Sequence, residues 1–174
     1  VYLGALSVIL PYIGASFHLG SAVEGRLFPT TFGGFIVGVL ASGNLSDRYG
    51  RKLVLAISVG AYAAALALFG AAASFNLVLV ASVLVGASTG AMETVASALA
   101  SDLYPKNRAA VINLLQIAFG VGAGLAPLIS HPLLEQGIDW RTLYFVLSAA
   151  SAATCLAVLA QRFPTVPHAP EALD

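Results

Sequence analysis

Charge is missing from five long stretches of this sequence: residues 1–23, 27–46, 53–92, 109–134 and 142–161 hold no Asp, Glu, Lys or Arg. Each reaches the roughly 18 to 20 residues that a helix needs to cross a hydrocarbon core about 30 Å thick. Composition points the same way, since 59% of the 174 residues are hydrophobic and 9% are charged, against about 25% charged in soluble domains. A secretory signal has one apolar segment of about 7 to 15 residues near the start. Here the pattern continues to residue 161, so a lipid bilayer is the expected surrounding. Open sheets cannot cross lipid because their edge groups go unsatisfied, and a barrel would alternate polar and apolar residues over strands of about ten. The expected fold is therefore all-α, a polytopic membrane bundle of six transmembrane helices.

The neutral run from Leu53 to Met92 is too long for one span, and Ser74-Phe75-Asn76 offers the polar break that divides it. The spans fall near 1–17, 27–45, 53–73, 76–100, 109–130 and 142–161, one bundle over residues 1–161. Residues 162–174, with Pro164, Pro167 and Pro170, are too proline-rich to continue a helix and read as a cytoplasmic linker or tail. Val1 opens directly into apolar sequence and Met92 is the single methionine, so the chain reads as truncated at its start. Arg48, Arg51, Lys52, Lys106, Arg108 and Arg162 follow the second, fourth and sixth spans, whereas Arg26 and Arg141 lie in the opposite loops. The positive-inside rule then places both chain ends in the cytoplasm, with Trp140-Arg141 at the outer interface. The membrane expected is the cell membrane, the inner one if the source is bacterial. Net charge is zero and no basic patch interleaved with aromatics occurs, so nucleic acid is not an expected partner. The single cysteine, Cys155, excludes an intrachain disulfide and any cysteine-rich metal site, and reads as a lipid-facing or packing residue. No cofactor or metal is expected.

Glu93 is the one charge that cannot be assigned to a loop. It lies inside the fourth span, with eight uncharged residues between it and Asp102. An ionised Asp at a helix centre costs on the order of 2.5–3.5 kcal/mol on insertion scales, so intramembrane acids face a bundle interior or a water-filled cavity. Removal from water favours the neutral form of a carboxyl, which makes Glu93 a candidate for proton exchange; a carboxyl kept neutral and bonded to a neighbouring helix is the structural alternative. Ser82, Gly86, Thr89, Glu93 and Ser97 follow one another at steps of three or four, one polar, small-residue stripe on one helix face. The fifth span carries a second stripe, Asn113, Gln116, Gly120, Gly124 and Pro127. Its two amides could bind a polyhydroxylated solute, or could serve as interhelical hydrogen bonds worth about 0.6 kcal/mol each. Gly34/Gly38, Gly86/Gly90 and Gly120/Gly124 have the spacing that lets helices approach closely. Pro11 and Pro127 are expected to bend their spans.

The most specific signal is Gly43-Asn44-Leu45-Ser46-Asp47-Arg48-Tyr49-Gly50-Arg51-Lys52, one acid and three cations in what reads as a short turn flanked by glycines. The glycines permit a reversal and close helix contact, and Asp47 can cap a helix or pair with a guanidinium. A solvated basic turn explains the cations but not the acid and glycine spacing. The string resembles the signature between the second and third helices of the major facilitator superfamily, G-x-x-x-D-R-x-G-R-K. The resemblance covers the whole chain, with Pro105 and Arg108 after the fourth span, a Gly-rich fifth span ending in Pro127, and Trp140-Arg141 before the sixth. It implies the amino-terminal half of a twelve-helix transporter, a 3+3 inverted repeat. Its partners would be a small-molecule solute, a proton, and either the missing carboxy-terminal six-helix half or a second copy. It also implies a cytoplasmic gating cluster of Gly43, Asp47, Arg48, Gly50, Arg51 and Lys52, with Asp102 as a further partner and the Asp47 contact made on the second half.

Met92-Glu93-Thr94 and the Asn113/Gln116 pair are further similar to the fucose permease branch of that family. This implies proton coupling at Glu93 and solute recognition by Asn113 and Gln116, with Ser97 standing where the branch has Asn and Ser7 where it has a first-helix acid. The expected function is secondary active transport by alternating access, as proton-coupled symport of a small polar solute such as a sugar. Export of a drug or metabolite is one alternative, and a six-helix scaffold that moves nothing is another. An intramembrane serine protease would need a base within reach of a serine in Gly86-Ala87-Ser88-Thr89, whereas His18, His131 and His168 all fall in expected loops or tail, so no enzyme is expected.

Overall fold

The computed structural model describes residues 2–161, apart from the side chains of Ser21 and Ala22. Secondary structure among the described residues is entirely helical: α1 (Tyr2–Phe17), the single turn α2 (Ser21–Glu24), α3 (Leu27–Tyr49), α4 (Arg51–Gly70), α5 (Phe75–Leu103), α6 (Arg108–Glu135) and α7 (Trp140–Ala160). The five helices from α3 to α7 are long and apolar enough to span a bilayer, and α1 is a shorter apolar helix of 16 residues. The expected tail over 162–174, and with it Arg162 and His168, lies outside the described residues.

Local chemistry sets the ends. Ser74 caps α5 by accepting from the Leu77 amide at 3.4 Å, and Asp139 caps α7 by accepting from the Arg141 amide at 3.0 Å. Each satisfies an amide that the first helical turn leaves free. Two expectations are corrected here. The signature string is no open turn: α3 runs through Gly43 to Tyr49, and Gly50 alone, at φ +89°, makes the reversal into α4. The fifth span does not stop near 130, because α6 carries Pro127 and Pro132 within it and ends at Glu135. His131 therefore stands on a helix rather than in a loop, paired with Glu135 at 3.7 Å.

Two helix pairs organise the bundle. Between α3 and α5 the glycines interlock. A methyl group on Gly34 or Gly38 would overlap the Val83 or Ala87 carbonyl, and one on Gly86 or Gly90 would overlap the Thr31 or Phe35 carbonyl. With no hydrophobic drive between helices in lipid, such close backbone approach supplies the van der Waals attraction. Gly4 does the same for α1 against Ala123 of α6. Gly120 and Gly124, expected to do likewise, face open space, as does Gly43.

Between α4 and α7 the contact is polar and regular. Arg141 donates to the carbonyls of Gly70 (2.9 Å) and Ala72 (2.7 Å), Ser148 to Ala63 (2.7 Å) and the Cys155 thiol to Ala56 (3.3 Å). Each step moves seven residues up α7 and seven down α4, which is what an antiparallel pair of near-parallel axes requires. Lys52 closes the far end by donating to Leu159 (2.9 Å) and Gln161 (2.6 Å). Each of the two cations thus caps the carboxyl end of the partner helix, where the exposed carbonyls carry partial negative charge. Cys155 is a packing residue. Trp140, the first residue of α7, is buried within the bundle, its indole N–H donating to Ser16 at 3.0 Å and its ring edge-on to Phe69. Tyr2, Phe69 and Tyr144 complete this aromatic cluster joining α1, α4 and α7.

Gly38→Ala and Gly86→Ala should each lower stability by about 1–3 kcal/mol through overpacking. Gly43→Ala, in open space, should be neutral or stabilising by up to about 1 kcal/mol because a helix interior disfavours glycine. Unfolding in detergent followed by circular dichroism separates them, and equal losses at all three positions would contradict the interlocked contact.

Candidate functional site

A cavity of about 720 Å³ opens among α1, α3, α4, α5, α6 and α7, and Glu93 stands on its wall. The stripe read along α5 divides: Gly86, Thr89, Glu93 and Ser97 line the cavity, while Ser82 is buried to one side, where it donates to Val78 at 2.8 Å and accepts from the Tyr2 hydroxyl at 3.4 Å. Glu93 is half-buried and does not face lipid alone, because the Gln116 amide on α6 donates to its Oε1 at 3.0 Å. The structure thus brings together one residue from each polar stripe. It does not bring Asn113, which is exposed and lies off the cavity wall. Ser7 is exposed and donates to Gly4 of its own helix at 2.8 Å.

Tyr2, Thr31, Tyr62, Ser151 and Thr154 also reach the cavity, and none of them stands out in the sequence. They come from four different helices, and only Ser151 and Thr154, three residues apart on α7, share a face of one helix. Most of the hydroxyls are already committed. Thr31 donates to Leu27 (2.7 Å), Thr89 to Val85 (2.8 Å), Ser151 to Leu147 (2.8 Å) and Thr154 to Ala150 (2.9 Å), all carbonyls of their own helices. A hydroxyl that gives its proton back to its helix offers a solute only acceptor capacity. Between these groups the wall is apolar, with Phe32, Phe35, Met92, Leu115, Phe119 and Leu147. What remains is one carboxyl–amide pair, with the hydroxyls of Ser97 and Tyr62, in a largely apolar chamber.

A second cluster gathers at the end of the bundle where α3 meets α4. The Arg51 guanidinium, from the first turn of α4, donates through Nε to Asp102 near the end of α5. Its Nη1 lies 3.5 Å from both Asp47 and the Ser46 hydroxyl at the end of α3. Asp102 is 26% exposed and Asp47 67%, so the inner partner is Asp102, and Asp47 keeps most of its carboxylate open. Lys52 belongs to the α4/α7 contact, and Arg48 is exposed beside the Tyr49 ring at 5.7 Å. Gly43 makes no contact that a side chain would disturb, whereas Gly50 supplies the positive φ of the turn. Ser88 is buried, and among the described residues no histidine bonds to it.

Comparison with known proteins agrees with this architecture. The family profile of the Major Facilitator Superfamily matches residues 2–173. A triacylglyceride transporter of Mycolicibacterium hassiacum is 31% identical over 65% of this chain and 22% of its own length, and one of Mycobacterium tuberculosis is 30% identical over 65% and 23%. An uncharacterized MFS-type transporter of Mycobacterium tuberculosis is 31% identical over 93% of this chain and 23% of its own length. The chain spans less than a quarter of the length of each of these relatives. With six apolar helices, the signature string intact and a profile match over nearly every residue, the chain belongs to the Major Facilitator Superfamily, a family of membrane transporters rather than enzymes.

Proposed function

We propose that this chain forms part of a secondary active transporter in which Glu93 exchanges the coupling proton and the surrounding chamber takes an amphiphilic or lipophilic solute. The observation that carries the reading is the Glu93–Gln116 hydrogen bond on the wall of an otherwise apolar cavity. A carboxylate there accepts from the Gln116 amide. Once protonated it gains an O–H donor while its carbonyl oxygen can still accept, so the existing bond loses its charge assistance and the amide can also turn its oxygen to accept from the new O–H. Proton uptake therefore changes what holds α5 to α6, and coupling requires such a change in the relative stability of two access states.

The solute class follows from what the wall offers. A sugar needs many hydrogen-bond partners, yet most hydroxyls here are committed to their own helices and Asn113 stands aside. A solute with a long apolar body suits the phenylalanine and leucine surface, and the relatives named as triacylglyceride transporters support that choice. Symport of a small polar solute keeps one argument in its favour, the carboxyl–amide pair itself. Arg51, Asp102 and Asp47 serve as the gating cluster, with Arg51–Asp102 holding α4 to α5 and Asp47 left available to a further partner.

In vesicles from cells expressing the native protein, Glu93→Gln should abolish pH-gradient-driven accumulation of a radiolabelled acylglycerol while leaving solute exchange largely intact. Accumulation that survives sinks the coupling role. Uptake of a radiolabelled monosaccharide in preference to the acylglycerol sinks the solute class. For the cluster, Asp102→Asn should cost about 1–3 kcal/mol, because it strips a partly buried guanidinium of its main partner. Asp47→Asn should cost less than about 1 kcal/mol, as exposed pairs do, yet slow transport without altering solute preference. A changed solute profile in Asp47→Asn would contradict a gating role.

A further inference from the structure

The cavity of Glu93 is long and carries polar groups at both ends. From Gly86 to Ser97 its wall on α5 rises about 16 Å at 1.5 Å per residue. Glu93 and Ser97 mark one end. Tyr2 and Thr31 stand at the other, where Gly86 meets the Thr31 carbonyl and Tyr2 reaches Ser82, one turn before Gly86. The Tyr62 hydroxyl is near enough to that of Tyr2 to interact with it electrostatically. The two ends differ in what their donors have left to give. Glu93 and Gln116 answer each other, and a serine such as Ser97 can return its proton to its own helix. A tyrosine cannot, because its ring holds the hydroxyl away from the backbone. Tyr2 donates to Ser82, whereas the Tyr62 hydroxyl bonds to no described residue. Tyr144 is fully buried beside them and likewise bonds to no described residue, but it stands off the cavity wall. Tyr62 belongs to α4, the span with the largest buried share, which is packed on both α5 and α7. Whatever meets its hydroxyl therefore comes by way of the cavity.

We infer that Tyr62 determines solute specificity by donating a hydrogen bond to an ester carbonyl of the solute, whose apolar chains then lie along Phe32, Phe35 and Phe119. The inference rests on the amphiphilic or lipophilic solute proposed above and adds where its polar group sits. A buried donor left without an acceptor is costly, so an acceptor gains more beside Tyr62 than beside the Glu93–Gln116 pair, which already satisfies itself. An ester carbonyl takes the tyrosine proton and brings none of its own that would need a partner in turn. A site that holds one such donor ready discriminates against an analogue lacking the matching oxygen.

The test is binding of radiolabelled trioctanoylglycerol to the purified native protein in detergent, beside its trioctyl ether analogue, which keeps the chains and loses the carbonyls. The unaltered protein should bind the ester about fivefold more tightly than the ether, the size of one neutral hydrogen bond. Tyr62→Phe should bring the ester down to the affinity of the ether and leave the ether unchanged, which also shows that the variant is folded. Tyr144→Phe, which deletes an unpartnered hydroxyl off the cavity wall, should keep the preference for the ester. Equal affinities in the unaltered protein, or a Tyr62→Phe variant that weakens both ligands alike or neither, overturns the role of Tyr62 while the solute class stands. Binding of neither ligand by the unaltered protein overturns the solute class, and this assignment with it.

Discussion

Helices in lipid have already satisfied their backbones and gain nothing from hiding apolar surface, so they associate only where their backbones can come close or polar groups can cross between them. The fold of this chain is organised by how it meets that condition twice. At α3/α5 glycines face carbonyls from both sides, so the two backbones touch over about two turns. At α4/α7 side chains of one helix reach the carbonyls of the other at regular intervals. The remaining helices are held more lightly; α6 is among the least buried, anchored by Gly4 against Ala123 and by Gln116 on Glu93.

That uneven packing gives the site its character. Glu93 sits on the well-packed helix and its partner Gln116 on the loosely packed one, so a change at the carboxyl acts where the bundle resists least. Arg51 works in the opposite sense. By bonding Asp102 and standing beside Asp47 it ties the ends of α3, α4 and α5 together, and so the bundle is braced at one end and more yielding around its cavity.

Much of this was legible from the residues. Charge-free runs marked the helices, because expelling charge from lipid is a strong and local requirement. Glu93 stood out for the same reason, and the signature string identified the cluster around Arg51. Failures arose where a property depends on a neighbouring helix. Gly120 and Gly124 have the same spacing as Gly34 and Gly38, yet only the latter meet a backbone. Asn113 and Gln116 lie three residues apart, and the angular difference carries one into the cavity and the other out of it. The partners of Trp140, Ser16 for its N–H and Phe69 for its ring, lie on other helices and leave no mark in the sequence around it. The cavity's tyrosines, gathered from separate helices, leave no trace in any one stretch of sequence.

The ladder between α4 and α7 is lopsided in what it asks of the gene. Along its length α7 contributes particular side chains, Arg141, Ser148 and Cys155, whereas α4 contributes peptide oxygens at Gly70, Ala63 and Ala56 that any residue would supply. Mutation can therefore rewrite those α4 positions freely, within the limits of size, while the register survives. The same drift on α7 would erase it, so apart from Lys52 of α4, which reaches Leu159 and Gln161, the side chains that align the two helices stand on α7.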